Sequence, residues 1–201
     1  MKFVIIDESG RLADRNDKFL VFAAIVADSL VGLDKIIPSV KKSSPKTLNL
    51  SEVKFSTTGD KTRIKVLKLI VKKGLKLFVL VINKEGRKID DNPNNYALLV
   101  SILLLDILKK MSSASHVIID RHFTWVTQRE KFNDLLQEFV DKPLFIEHLD
   151  SQQNTIVSLP DFVAGAFHLM QTKDDARFTA IIDPQVEVNA TTWKQLRQQK
   201  R

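Results

Sequence analysis

Acidic side chains recur at the ends of predicted strands in this 201-residue chain. The opening run MKFVIIDESG is apolar up to Ile6 and then places Asp7 and Glu8 side by side. The run HVIIDR leads to Asp120 in the same way, and LFIEHLD ends in Asp150. One carboxylate at a strand end is usually a turn cap, because its desolvation must be compensated by hydrogen bonds or a cation. Several carboxylates arriving at one edge of a sheet indicate a metal or acid/base site.

Two other stretches could add side chains to that edge. In LSEVKF the polar residues alternate with apolar ones, which predicts a strand with Glu52 and Lys54 on one face. Asp161 lies in the first turn of the helix predicted for SLPDFVAGAFHLM, where the helix dipole alone would explain an acid. The small residues Ala164 and Gly165 would let this helix approach the sheet closely. We therefore expect Asp161 to lie near the acidic edge.

The chemistry that these residue types favour is binding of a hard cation. Carboxylate oxygens without cysteine or paired histidine are typical of Mg²⁺ or Mn²⁺ sites. Two such ions roughly 4 Å apart stabilise the attacking and leaving oxygens of a phosphodiester displacement. Because clustered carboxylates repel one another, at least one should have a raised pKa in the absence of metal. The expected metal ligands are Asp7, Glu8, Asp120, Asp150 and Asp161, and the expected catalytic residues are Asp7, Asp120, Asp161, Glu52 and Lys54.

A possible substrate surface follows Asp120 directly. The segment RHFTWVTQREK mixes cations with aromatic rings, and we expect Arg121, Trp125 and Arg129 to bind substrate. Cations there can contact phosphates, and an exposed tryptophan can stack on a base. The alternative is that Trp125 and Phe123 anchor the loop onto the core.

Composition narrows the classes of function. The chain has 31 Lys and Arg against 24 Asp and Glu, and the net charge of +7 favours a polyanionic partner such as nucleic acid. It has no cysteine, which excludes disulfides and thiolate metal sites. No glycine-rich phosphate loop or G-x-S-x-G elbow is present, which disfavours nucleotide-cofactor enzymes and serine hydrolases. The opening apolar run is too short for a signal peptide or a membrane span, so we expect a cytoplasmic protein without membrane contact.

The elements that must position these residues follow from hydrophobic periodicity. The first two apolar runs can pair as a hairpin, and the later alternation of strands and helices implies parallel crossovers with strand ends on one edge. The loop Lys84–Asn95 is charged and Asn-rich, and should be exposed. The predicted strands are Met1–Gly10, Phe19–Ala27, Leu50–Phe55, Leu75–Asn83, His116–Arg121 and Leu144–Asp150, and the predicted helices are Leu30–Val40, Asp60–Lys73, Tyr96–Met111, Gln128–Val140, Ser158–Met170 and Thr191–Arg201.

The order of these motifs resembles a known but uncharacterised family. The DESG that begins at Asp7, the Glu52-x-Lys54 pair, the IID ending at Asp120, the Asp150-Ser151 pair and the LPDFVAG stretch resemble the family called domain of unknown function 3800. The resemblance extends to about Met170. That family is similar to the ribonuclease H-like fold, which implies a mixed sheet with an antiparallel hairpin first, parallel strands after it, flanking helices and an acid-lined metal site. Ribonuclease H has a catalytic Glu on the helix after its third strand, whereas this chain has only Asp106 there, so Glu52 would substitute or the site has fewer ligands.

We therefore expect an α/β ribonuclease H-like domain over residues 1–172, and a C-terminal extension over 173–201 with a short basic helix packed on the same domain. The expected function is a nuclease or phosphodiesterase that acts on nucleic acid, DNA or RNA, with Mg²⁺ or Mn²⁺. One alternative is a non-catalytic nucleic-acid-binding or interaction protein in which the acids are structural. Another is strand transfer, because the same metal geometry can serve that reaction.

Overall fold

The computed structural model describes residues 2–43 and 50–198, and the described chain forms one mixed sheet between two layers of helices. The strands are β1 (Lys2–Ser9), β2 (Phe19–Ala27), β3 (Lys76–Asn83), β4 (Ala114–Asp120), β5 (Phe145–Leu149) and β6 (Val186–Thr192). The helices are α1 (Ile36–Lys42), α2 (Asp60–Lys72), α3 (Pro93–Lys110), α4 (Val126–Val140), α5 (Ser158–Lys173), α6 (Thr179–Ile182) and α7 (Trp193–Gln198), and a 3-10 turn (Asp183–Gln185) precedes β6.

The strand order in the sheet is β5-β4-β1-β2-β3-β6. β1, β2 and β3 form an antiparallel meander, while β4 lies parallel to β1, and β5 lies parallel to β4. In the pairing of β1 with β4, Ile6 lies opposite Ile119. The residues that follow these two positions are Asp7 and Asp120, so the register places both acids at the same edge. The antiparallel hairpin and the parallel strands confirm the predicted sheet.

Each face of the sheet has its own hydrophobic core because side chains alternate along a strand. Ile5 and Ile118 face the layer formed by α1, α2, α5 and α6. Ile6 and Ile119 face the layer formed by α3, α4 and α7. Uninterrupted apolar runs such as FVII in β1 therefore arise because both faces are covered.

Three predicted elements differ from the structure. Residues 50–55 form a loop rather than a strand. The loop predicted to be exposed contains the fully buried Lys84, whose ammonium donates to the carbonyl oxygens of Arg11, Leu12 and Asp14. The first helix begins at Ile36, two residues before Pro38, because proline is tolerated in a first turn but not in a helix interior.

The C-terminal part of the chain adds a strand that the sequence did not predict. Val186–Thr192 forms β6, which pairs in parallel with β3 at one edge of the sheet. The predicted terminal helix begins at Trp193, and residues 199–201 lie outside the described residues. The division into 1–172 and 173–201 stays a prediction. None of the helices in the described ranges has the length and apolar character needed to cross a membrane.

Candidate active site

The two adjacent acids of β1 point to opposite faces of the sheet. Asp7 follows the alternation of Ile5 and faces the layer that contains α5, whereas Glu8 follows Ile6 and faces the layer that contains α3. Asp120 follows Ile118 in β4, so it lies on the same face as Asp7. The DE pair thus supplies one acid to each side of the strand end.

Asp7 is the most buried acid of the cluster, with 6% of its surface exposed. Burial raises its pKa well above the usual range, and repulsion from Glu8, Asp161 and Asp120 raises it further. The N–H of Glu8 donates to Asp7 Oδ1 over 2.8 Å, which only partly offsets the cost. An acid with this uncompensated burial is expected where a cation binds.

Asp120 lies where β4 ends and is partly exposed. Its Oδ1 accepts hydrogen bonds from the backbone N–H groups of Arg121 at 3.0 Å and Ser151 at 3.2 Å. Burial raises its pKa, and the nearby charge of Lys54 opposes that rise. Its Oδ2 lies 3.9 Å from Lys54 Nζ, so this oxygen faces the centre of the cluster.

Asp161 joins the cluster from the first turn of α5, with 9% of its surface exposed. Burial raises its pKa to about 6, although the N–H of Phe55, which donates to Asp161 Oδ2 over 2.6 Å, and the charge of Lys54 both oppose this. The predicted reason for Gly165 was wrong in one respect. A Cβ on Gly165 would lie 2.5 Å from the ring of Phe55, so the glycine makes room for a loop side chain.

Glu52 and Lys54 reach the cluster from the loop at 50–59. Lys54 Nζ lies 3.2 Å from Glu52 Oε1, yet this buried oxygen accepts no hydrogen bond within the described structure. Burial alone would lower the pKa of Lys54, but Glu52, Asp7 and Asp120 outweigh that effect and raise it. Lys54 is therefore a permanent cation next to the acids at neutral pH.

Phe55 anchors this loop to the protein. Its ring packs edge-on against Phe162 and Phe178, at centroid distances of 6.1 and 5.4 Å. The Arg63 guanidinium lies 4.4 Å from the centroid of the Phe55 ring, and its Nε donates to the Phe55 carbonyl oxygen over 2.8 Å. These contacts fix the backbone directly after Lys54.

On the other face, Glu8 belongs to a network that the sequence did not predict. The Tyr96 hydroxyl donates to Glu8 Oε2 over 2.5 Å, and His122 Nδ1 lies 2.9 Å from Glu8 Oε1. The other ring nitrogen of His122 lies 2.7 Å from Asp91 Oδ1, and the ring stacks on Tyr96 at 4.1 Å. Although burial opposes protonation, hydrogen bonds to Glu8 and Asp91 raise the pKa of His122 to about 9. Burial, reinforced by Glu8, raises the pKa of Tyr96.

A sequence signal for this network existed. Tyr96 is the only tyrosine of the chain and lies at the start of an otherwise apolar helix. A buried hydroxyl requires a hydrogen-bond partner, although nothing local says which residue supplies it. Both oxygens of Glu8 are thereby engaged, and its role as a metal ligand stays a prediction.

Asp150 also has partners within the protein. It forms an ion pair with Arg121, and its Oδ1 accepts from the N–H of Gln152 over 2.9 Å. Asp150 therefore caps the turn after β5 and holds Arg121, while its predicted role as a ligand stays untested. Asp106 lies elsewhere, beside β6, where it accepts a hydrogen bond from Asn189 over 2.6 Å.

The predicted substrate segment divides into a buried and an exposed part. Phe123 packs into the core, whereas 71% of the Trp125 surface is exposed. Arg129 NH1 donates to the carbonyl oxygens of Phe123 at 2.9 Å and Thr124 at 2.6 Å, which fixes the loop that carries Trp125. Trp125 is thus available to a ligand, and Arg129 holds the loop.

The donor set fits a hard cation in chemistry. Asp7, Asp120, Asp161 and Glu52 offer carboxylate oxygens, and one buried oxygen of Glu52 has no hydrogen-bond partner in the described structure. Over residues 2–43 and 50–198, however, no three acidic or histidine side chains form a group that could already hold a metal ion. These residues could supply ligands, and Lys54 lies among them.

Comparison with solved structures shows the class of fold. A ribonuclease HII from Archaeoglobus fulgidus, solved in complex with PCNA, superposes with a TM-score of 0.55 and 15% identity over 86% of this chain and 74% of that chain. The ribonuclease H2 from Pyrococcus horikoshii OT3 superposes with a TM-score of 0.56 and 18% identity over 86% of this chain and 77% of that chain. The fold is therefore ribonuclease H-like, as expected. No family model matches the chain, so the relation to domain of unknown function 3800 stays a prediction, and no curated protein matches it.

Proposed function

We propose that this protein is a divalent-metal-dependent nuclease or phosphodiesterase that acts on nucleic acid. Asp7, Asp120 and Asp161 would hold Mg²⁺ or Mn²⁺, with Glu52 as a further ligand. The observation that carries the proposal is the meeting of acids from β1, β4 and α5, with the pKa of all three raised by burial. A carboxylate cluster of this kind is expected to repay its desolvation by binding a cation.

Each residue has a role that its position supports. A bound divalent ion would polarise a phosphodiester and promote ionisation of the attacking water. Asp7 is fixed by the N–H of Glu8 and Asp161 by the N–H of Phe55, so their oxygens are held in place before substrate arrives. Lys54 offers positive charge to a phosphate oxygen beside Asp120.

The substrate class rests on charge and on the exposed ring. The net charge of +7 favours a polyanion. Trp125 lies five residues after Asp120 and is open to solvent, so a base can stack on it while the backbone approaches the acids. Arg121 is exposed beside it and could contact a phosphate. Both ribonuclease structures named above share the fold with this chain, which agrees with a nucleic-acid substrate.

The test is a cleavage screen on end-labelled single-stranded, duplex and RNA–DNA hybrid substrates, with Mg²⁺, Mn²⁺ or a chelator. We expect cleavage of at least one substrate with a divalent ion, no cleavage with the chelator, and a loss of about 100-fold or more in Asp7→Asn. Asp106→Asn is the matched control, because Asp106 is an acid far from the cluster that bonds Asn189, and its activity should equal that of the wild type.

A second candidate is a nucleic-acid-binding protein without catalysis. It is favoured by the lack of a ready-made group of three metal-binding side chains in the described ranges, and by the position of Lys54 among the acids. Under this candidate the same substrates bind, Trp125→Ala weakens binding, and no substrate is cleaved with any ion. Cleavage that is abolished in Asp7→Asn and retained in Asp106→Asn decides against it.

A further inference from the structure

A single lysine lies within the acidic cluster formed by the described residues. Lys54 Nζ lies 3.2 Å from Glu52 Oε1 and 3.9 Å from Asp120 Oδ2. Its charge also acts on Asp7 and Asp161, which approach from β1 and α5. The ammonium is therefore shared by carboxylates from four separate parts of the chain.

The backbone holds this lysine in position. The N–H of Lys54 donates to Thr57 Oγ1 over 3.2 Å, and the Thr58 hydroxyl donates to the Lys54 carbonyl oxygen over 2.9 Å. The next residue, Phe55, is buried against α5 and donates its N–H to Asp161. Lys54 is thus placed by the same residue that places Asp161, and its stem is half-buried. A surface lysine without a role has no such constraints.

Charge balance limits how many further cations the cluster can take. With Asp7, Glu52, Asp120 and Asp161 ionised, the formal charge of the acids is −4. Lys54 and one divalent ion supply +3, whereas Lys54 and two divalent ions supply +5. A second ion roughly 4 Å from the first would also lie close to an ammonium in a partly buried site, where like charges repel strongly.

We propose that Lys54 takes the place of one cation in this centre, so that the protein binds a single divalent ion and the ammonium supplies the second positive charge. This inference rests on the proposed function. It concerns the number of metal ions, which the likeness in fold leaves open.

The experiment is titration calorimetry of the metal-free protein with Mn²⁺, without substrate. Wild type and Lys54→Arg should each bind one ion per chain. Lys54→Met, which keeps the stem but removes the charge, should bind two ions, or bind the first about tenfold more tightly. Lys61→Met is the control, because Lys61 is exposed on α2, and it should bind as the wild type does. Lys54→Gln gives a second neutral variant in case the methionine variant does not fold.

The outcomes separate this inference from the proposed function. Two ions per chain in the wild type, or one ion in Lys54→Met with unchanged affinity, would overturn the inference while the metal-dependent activity could stand. Absence of Mn²⁺ binding by the wild type at millimolar concentration, together with absence of cleavage, would overturn both. A gain in thermal stability on adding Mn²⁺ that is larger in Lys54→Met than in the wild type supports the inference without any measurement of activity.

Discussion

Gly165→Ala tests whether Phe55 and α5 jointly place the catalytic loop. A Cβ at Gly165 would lie 2.5, 2.6 and 2.7 Å from three carbon atoms of Phe55, so the ring must move. Overpacking of this kind costs about 1–3 kcal/mol. Replacement of a helical glycine by alanine returns about 1 kcal/mol through propensity. We expect a net loss of about 1 kcal/mol in the free energy of unfolding, although helix propensity alone would predict a gain.

The expected effect on activity is larger than the effect on stability. Displacement of the Phe55 ring would move Lys54, which precedes it, and would disturb the hydrogen bond from the Phe55 N–H to Asp161. Misplacement of catalytic groups by about 1 Å can cost about 100-fold in rate. Cleavage should therefore fall in Gly165→Ala at temperatures where the protein stays folded.

The assay is urea unfolding of a double-mutant cycle with Phe55→Leu. The smaller leucine leaves room for the new methyl group, so Gly165→Ala should be neutral or stabilising in that background. Gly59→Ala is the control, because a Cβ there meets nothing within 4 Å, and its effect should be about 1 kcal/mol or less. If Gly165→Ala stabilises the wild type and shows no coupling to Phe55, the ring is not held by this glycine and the reasoning is wrong.

Three other predictions concern single residues. The pKa of His122 is raised to about 9 by Glu8 and Asp91, so its stabilisation is fully present below pH 6.5 and is lost as the pH rises through 9; unfolding measured across this range should show a loss on the order of 3 kcal/mol that His122→Gln lacks. Burial raises the pKa of Asp161 to about 6, so its ionised form destabilises the metal-free protein; Asp161→Asn should be more stable at pH 8 by on the order of 3 kcal/mol, and the difference should vanish towards pH 4. Trp125→Ala should leave the melting temperature nearly unchanged, because the ring is 71% exposed, and should weaken single-strand binding by about 1–3 kcal/mol in a fluorescence titration; a large loss of stability would show instead that the ring is part of the core.

The strands that carry Asp7 and Asp120 were predictable because each is a buried apolar run that ends abruptly in an acid. Two covered faces leave no polar position inside such a strand, so the first carboxylate marks its end. The antiparallel hairpin and the parallel crossovers then place both ends at one edge. Local pattern and topology agree here, which is why the edge could be predicted without coordinates.

The loop with Glu52 and Lys54 shows where the same reasoning fails. Val53 and Phe55 are buried while Glu52 and Lys54 are partly exposed, so the alternation is real although residues 50–55 form no strand. Alternation shows that one side of an extended segment is covered, and it does not show whether the backbone pairs with a neighbour. The residues were predicted to share a side, and the element that carries them was wrong.

The strand β6 and the network around Glu8 depend on contacts distant in sequence. The stretch VEVNATT is polar and partly exposed because it lies at the edge of the sheet, so it lacks the apolar run that identified the central strands. Tyr96 is 88 residues from Glu8, and His122 is 114 residues from it. Neither pairing has a local signature, so only the fold shows them.

The opposite orientations of Asp7 and Glu8 give the strand end two tasks. Asp7 faces the acidic cluster, where a cation would bind. Glu8 holds His122, which lies between Asp120 and the exposed Trp125 in the loop after β4. One dipeptide therefore connects the proposed metal centre to the proposed substrate loop. A change at Glu8 should then affect substrate binding more than metal affinity, whereas a change at Asp7 should do the reverse, although the two residues are adjacent in the chain.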